Sequence, residues 1–198
     1  MNFRMMLGAV LLSGVIAFPA AAQFGQVERT QAEIALEQAQ SRLGKQKADR
    51  EAAGAACKAG DLEGCFKLAD MQRTGVGGPQ DLKAAAASYK TMCDAKDGRG
   101  CAGLAYLTVQ GRGVAENKTE GRALYEKACE YGDVSGCAAY GNMAYTGTGG
   151  RKDVLGGTEA LTQACNRDYQ WACDRMRELG VYDPTENPFD RLRDLRGN

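Results

Sequence analysis

Cysteine offers more chemistry than any other residue type in this chain, and its spacing says which chemistry. The eight cysteines stand at positions 57, 65, 93, 101, 129, 137, 165 and 173. The intervals alternate between 8 and 28, so one pair recurs every 36 residues. Thiols can form disulfides, hold a metal or act as nucleophiles. A zinc site needs CxxC pairs or histidine partners, and the sequence has neither. Histidine is absent altogether, which removes the commonest general base and every Ser-His or Cys-His arrangement. We therefore assign no catalytic residue, no metal site and no cofactor. The disulfide reading remains, and it implies an oxidising compartment.

Two registers of pairing compete. A Cys-x7-Cys pair within one continuous helix would lie about 12 Å apart along the axis, too far to bridge. The local register thus requires a turn inside each pair, and Gly60-Asp61, Gly98, Gly132-Asp133 and the series Gly64, Gly100, Gly136 mark candidate turns. Pairing 57–65, 93–101, 129–137 and 165–173 uses every cysteine. The rival register, 65–93 and its equivalents, spans one hairpin and strands Cys57 and Cys173. We adopt the local register.

The elements that position these pairs follow from the same period, the mark of a repeat protein. Counting from the leading cysteine, the third position is Leu68, Leu104, Tyr140 and Met176, and the sixth is Met71, Leu107, Met143 and Leu179. Spacings of three and four make an amphipathic helix. Gly75, Gly111 and Gly147 end it, each followed two residues later by Gly77, Gly113 and Gly149. These glycines follow a helix rather than a strand, so they do not form a phosphate cradle. A second helix spans 81–93, 118–129 and 153–165, with Tyr89, Tyr125 and Leu161 filling one packing position. Leu155-Gly156-Gly157 is expected to loosen the last of these. Asp61, Asp97 and Asp133 recur beside a turn and read as turn or cap residues. The fold expected is all-α: an α-solenoid of disulfide-stapled helix hairpins.

The flanks read differently. A basic start, an apolar run to Phe18 and Ala20-Ala21-Ala22 form a secretory signal over residues 1–22, too short to span a bilayer and without a cysteine for lipid attachment. Residues 23–45 form a helical leader, 46–180 the repeat array with three full units and partial units at both ends, and 181–198 a capping tail. Within that tail Asn187-Pro188 starts a helix carrying Phe189, Leu192 and Leu195.

The combination of a Gly-Cys helix, Gly-x-Gly and an Ala-rich second helix ending in cysteine resembles the Sel-one-like repeat (SLR), a tetratricopeptide-like family, over residues 46–179. The unit from Cys101-Ala102-Gly103-Leu104 through Gly111-Arg112-Gly113-Val114 to Lys127-Ala128-Cys129 carries the likeness best. The paired cysteines make it similar to the secreted Helicobacter cysteine-rich proteins. The resemblance implies an interaction surface, disulfides joining neighbouring repeats and, as an alternative function, penicillin binding with weak β-lactamase activity. The sequence has no Ser-x-x-Lys, Ser-Asp-Asn or Lys-Thr-Gly element for that chemistry.

The main expectation is a non-enzymatic protein–protein interaction module or adaptor, periplasmic or secreted and monomeric. With 25 basic and 25 acidic side chains, it has no general attraction for nucleic acid or, once the signal is removed, for a membrane. Its partner is a protein or peptide, or a cell-wall glycan. The candidate partner-binding stripe lies on the first-helix face opposite the cysteines: Lys67, Asp70 and Thr74; Gly103, Tyr106 and Gln110; Ala139, Asn142 and Thr146. Tyr106 is its best anchor.

Overall fold

The computed structural model describes residues 30–181. The signal expected over residues 1–22 and the helix expected around Phe189, Leu192 and Leu195 lie outside the described residues. The chain divides into two compact units, Met1–Ala39 and Gln40–Asn198. In the first, the described residues open helix α1 (Gln31–Lys58). Its start is a capping box: Thr30 Oγ1 accepts from the Glu33 amide, and the Glu33 carboxylate accepts from the Thr30 amide at 2.8 Å.

The second unit is built from helices alone among its described residues. After α1 come α2 (Leu62–Thr74), α3 (Leu82–Asp94), α4 (Gly98–Gln110), α5 (Lys118–Glu130), α6 (Val134–Thr146), α7 (Val154–Cys165) and α8 (Gln170–Glu178). Helices α2–α3, α4–α5 and α6–α7 are hairpins, and each packs on the next through α3–α4, α5–α6 and α7–α8. This is the expected α-solenoid.

Both turn types repeat. Gly75, Gly111 and Gly147 take left-handed backbone at the exits of α2, α4 and α6. The following amide closes a six-to-one bond in each case, as when Val76 N donates to the Met71 carbonyl at 3.1 Å. The next helix is capped by Asp81, Asn117 or Asp153, whose side chain accepts an amide three residues on. Between hairpins the left-handed residue is Gly60, Lys96, Gly132 or Asp168, again 36 apart. Asp61, Asp97 and Asp133 then cap α2, α4 and α6.

Two sequence expectations need correction here. Gly64, Gly98, Gly100 and Gly136 lie inside helices, not in the turns. Gly64, Gly100 and Gly136 are needed for closeness: a Cβ at Gly100 would lie 2.3 Å from the Met92 Cβ, and one at Gly64 2.5 Å from the Ala56 Cβ. Nor do Gly156 and Gly157 loosen α7, which is continuous. A Cβ at Gly157 would stand 2.5 Å from the Tyr145 amide nitrogen and 2.7 Å from the Gly141 carbonyl oxygen, so this glycine brings α6 and α7 into backbone contact.

The four disulfides follow the local register: Cys57–Cys65, Cys93–Cys101, Cys129–Cys137 and Cys165–Cys173, with Cα–Cα distances of 4.3 to 4.8 Å. Each ties the end of one helix to the start of the next, at the junctions α1–α2, α3–α4, α5–α6 and α7–α8. Cys65, Cys101 and Cys137 are fully buried and belong to the core with Met92, Leu107, Leu161 and Met176. The core is thin: no helix buries more than two large side chains, and α1 and α5 bury only alanine or glycine, so the bridges add what the core lacks. Chain-entropy reasoning gives each about 2–3 kcal/mol. Among the described residues, no helix is long and apolar enough to cross a membrane.

Candidate functional site

A groove of about 580 Å³ runs across successive hairpins of the array. Its walls hold Phe66 of α2, Tyr89 of α3, Tyr106 of α4, Tyr125 of α5 and Tyr169 before α8, with Arg73 and Arg99 between them. Ala102, Gly103 and Ala139 complete the lining where large side chains would close it. Tyr106 and Tyr169 are about a third exposed, at 37% and 36%, so both rings are open to a ligand.

The two arginines are not free charges. Arg99 donates to Asp97 Oδ2 at 2.8 Å and to Glu63 Oε2 at 2.7 Å, and its guanidinium lies 4.8 Å above the Phe66 ring. Glu63 and Arg99 occupy the same position in successive repeats, so this pair also joins them. Asp97 sits below the usual carboxylate range, held there first by its hydrogen bond to Arg99. Arg73 is raised by its hydrogen bond to Asp70. The groove therefore offers rings, paired charges and phenol hydroxyls.

Burial pushes the Tyr125 phenol up to about 12, and burial raises Tyr89 against the lowering effect of Arg73. Both stay neutral at physiological pH. They can donate and accept hydrogen bonds but supply no phenolate base or nucleophile. One hydroxyl–carboxylate pair lies in the groove: Ser135 Oγ donates to Asp133 Oδ1 at 2.6 Å. That same oxygen accepts the Gly136 amide, so the pair is a helix cap.

The structure divides the sequence-derived stripe. Gly103, Tyr106 and Ala139 line the groove, and Asp70 reaches it indirectly by pairing with Arg73. Lys67, Thr74, Gln110 and Thr146 are exposed outside the lining. Asn142 is half-buried and accepts from Arg175 Nε at 2.7 Å. Phe66, Arg73, Arg99 and the second-helix tyrosines were missed, the tyrosines because their repeat position also serves packing. Tyr169 did carry a signal. It stands where Asp61, Asp97 and Asp133 cap the earlier helices, and it makes no side-chain cap bond.

No protein-family model matches this sequence, and neither does a curated protein. Solved structures do match its fold. A protective antigen of uropathogenic Escherichia coli displaying an SLR fold superposes with a TM-score of 0.60 at 24% identity, over 63% of this chain and 27% of that one. The chain has the SLR fold. A Sel1 repeat protein from Oxalobacter formigenes agrees, with a TM-score of 0.58 at 22% identity over 64% of this chain and 52% of that one. The match thus spans 27% and 52% of those two chains' own lengths. Helicobacter pylori cysteine rich protein B aligns over 73% of this chain and 96% of its own, with a TM-score of 0.49 at 20% identity. The SLR fold here consists of the helix hairpins that place one aromatic side chain after another along the groove.

Proposed function

We propose that this chain is a non-enzymatic interaction module of the periplasm or extracellular space, and that its groove receives an extended, uncharged stretch of a partner polypeptide. One observation carries the reading: rings from successive repeats line a groove whose arginines already hold carboxylate partners. An anionic ligand would have to displace Asp70, Asp97 and Glu63 from the arginines, and a cationic one would have to displace the arginines. Apolar rings and backbone amides instead meet phenols and aromatic faces. Repeat arrays bind in this manner, through rows of side chains on a rigid wall. The disulfides support a location outside the reducing cytosol.

Calorimetry with oxidised protein tests it, using decapeptides rich in Pro, Ala and Tyr with net charge zero, strongly positive or strongly negative. The neutral set is expected to bind. Tyr106→Ala is expected to weaken it by about 2 kcal/mol with the melting temperature unchanged. Preference for either charged set, or for a cell-wall glycan fragment over every peptide, overturns the assignment. The alternative of β-lactam hydrolysis rests on resemblance alone. A chromogenic β-lactam is expected to show no turnover, and intact mass no acyl adduct; a stoichiometric adduct on a groove side chain reverses that.

A further inference from the structure

A second cavity, outside the groove, collects positive charge that the repeat architecture does not require. It occupies about 550 Å³ between α5 and the loop joining α6 to α7. Arg122, Arg151 and Lys152 line it, together with Glu126, Asp153 and the bare backbone of Gly149 and Gly150. The structural part of this arrangement recurs elsewhere. Arg122 Nη1 donates to the Arg151 carbonyl at 2.8 Å, and Arg50 Nη1 donates to the Pro79 carbonyl at 3.0 Å, each reaching 29 residues on. The latch thus works at the first junction with Pro79 and Gln80 where the third junction has Arg151 and Lys152. The second junction has Ala115 and Glu116 at those positions. In a repeat protein, what packing demands recurs, and the paired cations do not.

Nor do these cations spend their charge on ion pairs: among the described residues, none of the ion pairs involves Arg122, Arg151 or Lys152. Lys152 Nζ lies 5.5 Å above the Tyr145 ring, and Arg122 lies 5.8 Å above Tyr140. The two carboxylates have other work: Asp153 caps α7 through the Gly156 amide, and Glu126 acts on the Tyr140 hydroxyl. Arg122 spends one N–H donor on the latch and also acts on the Tyr140 hydroxyl, which leaves part of its five-donor fork for a ligand. Three cations against two carboxylates leave one net positive charge, which suits a singly charged oxyanion better than a dianion.

We propose that this pocket binds a carboxylate group carried by a small molecule, either a peptide C-terminus or a carboxylated sugar. Its volume falls in the range of ligand pockets, about 300–1,000 Å³, so the body of the molecule has room beside the carboxylate. The arginine fork matches a carboxylate in two parallel hydrogen bonds.

The test is an amide-resolved NMR titration of the oxidised full chain with N-acetyl-triglycine as the free acid, the same peptide as its C-terminal amide, glucuronate and inorganic phosphate. The free acid, glucuronate or both are expected to shift the Gly149 and Gly150 amides saturably, and the amide is not. Whichever acid binds names the source. The double variant Arg151→Ala/Lys152→Gln removes exposed side chains and leaves the latch in place, so its fold should be unchanged. It is expected to weaken the acid by about tenfold or more. Equal binding of acid and amide, tighter binding of phosphate, no saturable shift from either acid, or an unaffected double variant overturns the proposal.

Discussion

The ring of Tyr89 rests against the bare backbone of Gly103: a Cβ added at Gly103 would come 2.7 Å from Cδ1 and Cε1 of that ring. Tyr89 belongs to the second helix of one hairpin and Gly103 to the first helix of the next. The missing side chain lets the ring fill the junction and still reach the groove. Scaffold and site therefore share one constraint, and a change made for one is felt by the other.

Glycine-to-alanine substitutions should separate by sign. In an exposed helix the change normally stabilises by about 1 kcal/mol, and Gly44 in α1 has nothing within 4 Å of an added Cβ. At Gly100 the Cβ would meet the Met92 Cβ at 2.3 Å and the Cys93 amide nitrogen at 2.8 Å, with backbone and a disulfide unable to yield. Overpacking of that kind costs about 1–3 kcal/mol, enough to outweigh the propensity gain. Thermal melts should show Gly44→Ala rising and Gly100→Ala falling; the same sign for both contradicts the account.

This contrast also shows what the sequence made legible. The 36-residue period, the helix exits at Gly75, Gly111 and Gly147 and the disulfide register were readable because each rests on local geometry repeated along the chain. The role of Gly100 was not, since a glycine near a turn looks alike whether it supplies left-handed backbone or close approach. The groove was legible only at Gly103, Tyr106 and Ala139, on the face opposite the cysteines. Its other wall comes from α3 and α5 of adjoining hairpins, and helical periodicity within one unit carries no information about that neighbour. Arg122 has the same problem, since its partner carbonyl lies 29 residues away.

The bridges should not open together. Cys65, Cys101 and Cys137 are fully buried, whereas Cys165 and Cys173 are both only half-buried. Helix α8, which carries Cys173, has 9 residues and no side-chain cap. Reduction needs access to sulfur, so a terminal, less protected helix exposes its bridge at lower opening cost. Graded phosphine treatment followed by alkylation and peptide mapping is expected to label Cys165 and Cys173 first. Earlier labelling of Cys93 and Cys101 would show that burial does not set the order.

Asp97 makes stability depend on acid. Arg99 holds its folded-state pKa below the unfolded value of about 4, so the contribution is complete above that value and lost as pH falls through the folded pKa. The carboxylate side chain is only 12% exposed, which limits screening by salt. Melting temperature is expected to drop between about pH 5 and pH 2, and Asp97→Asn should flatten that drop while lowering stability at pH 7. An unchanged acid slope in Asp97→Asn assigns the dependence to other carboxylates.

Tyr169 gives the sharpest separation of stability from binding. The three equivalent positions carry aspartates that accept a backbone amide, at 3.0 Å for Asp61, 2.9 Å for Asp97 and 2.6 Å for Asp133. Tyr169 makes no such bond, stays 36% exposed and stands 6.5 Å from the Trp171 ring. Replacing a capping side chain with one that cannot cap costs about 1 kcal/mol, so this site departs from the local rule at a loss. Its ring lines the groove, which supplies the compensating use. Tyr169→Asp is therefore expected to stabilise the fold by about 1 kcal/mol, aided by a negative charge at the start of α8. The same change should weaken neutral-peptide binding by about tenfold, the loss of one aromatic anchor. Tyr169→Phe keeps the ring and should leave both quantities near their starting values. Denaturant melts and calorimetry on the two variants read the pair of effects together. A Tyr169→Asp protein that binds as well as the parent removes Tyr169 from the site, and one that gains no stability removes the capping argument.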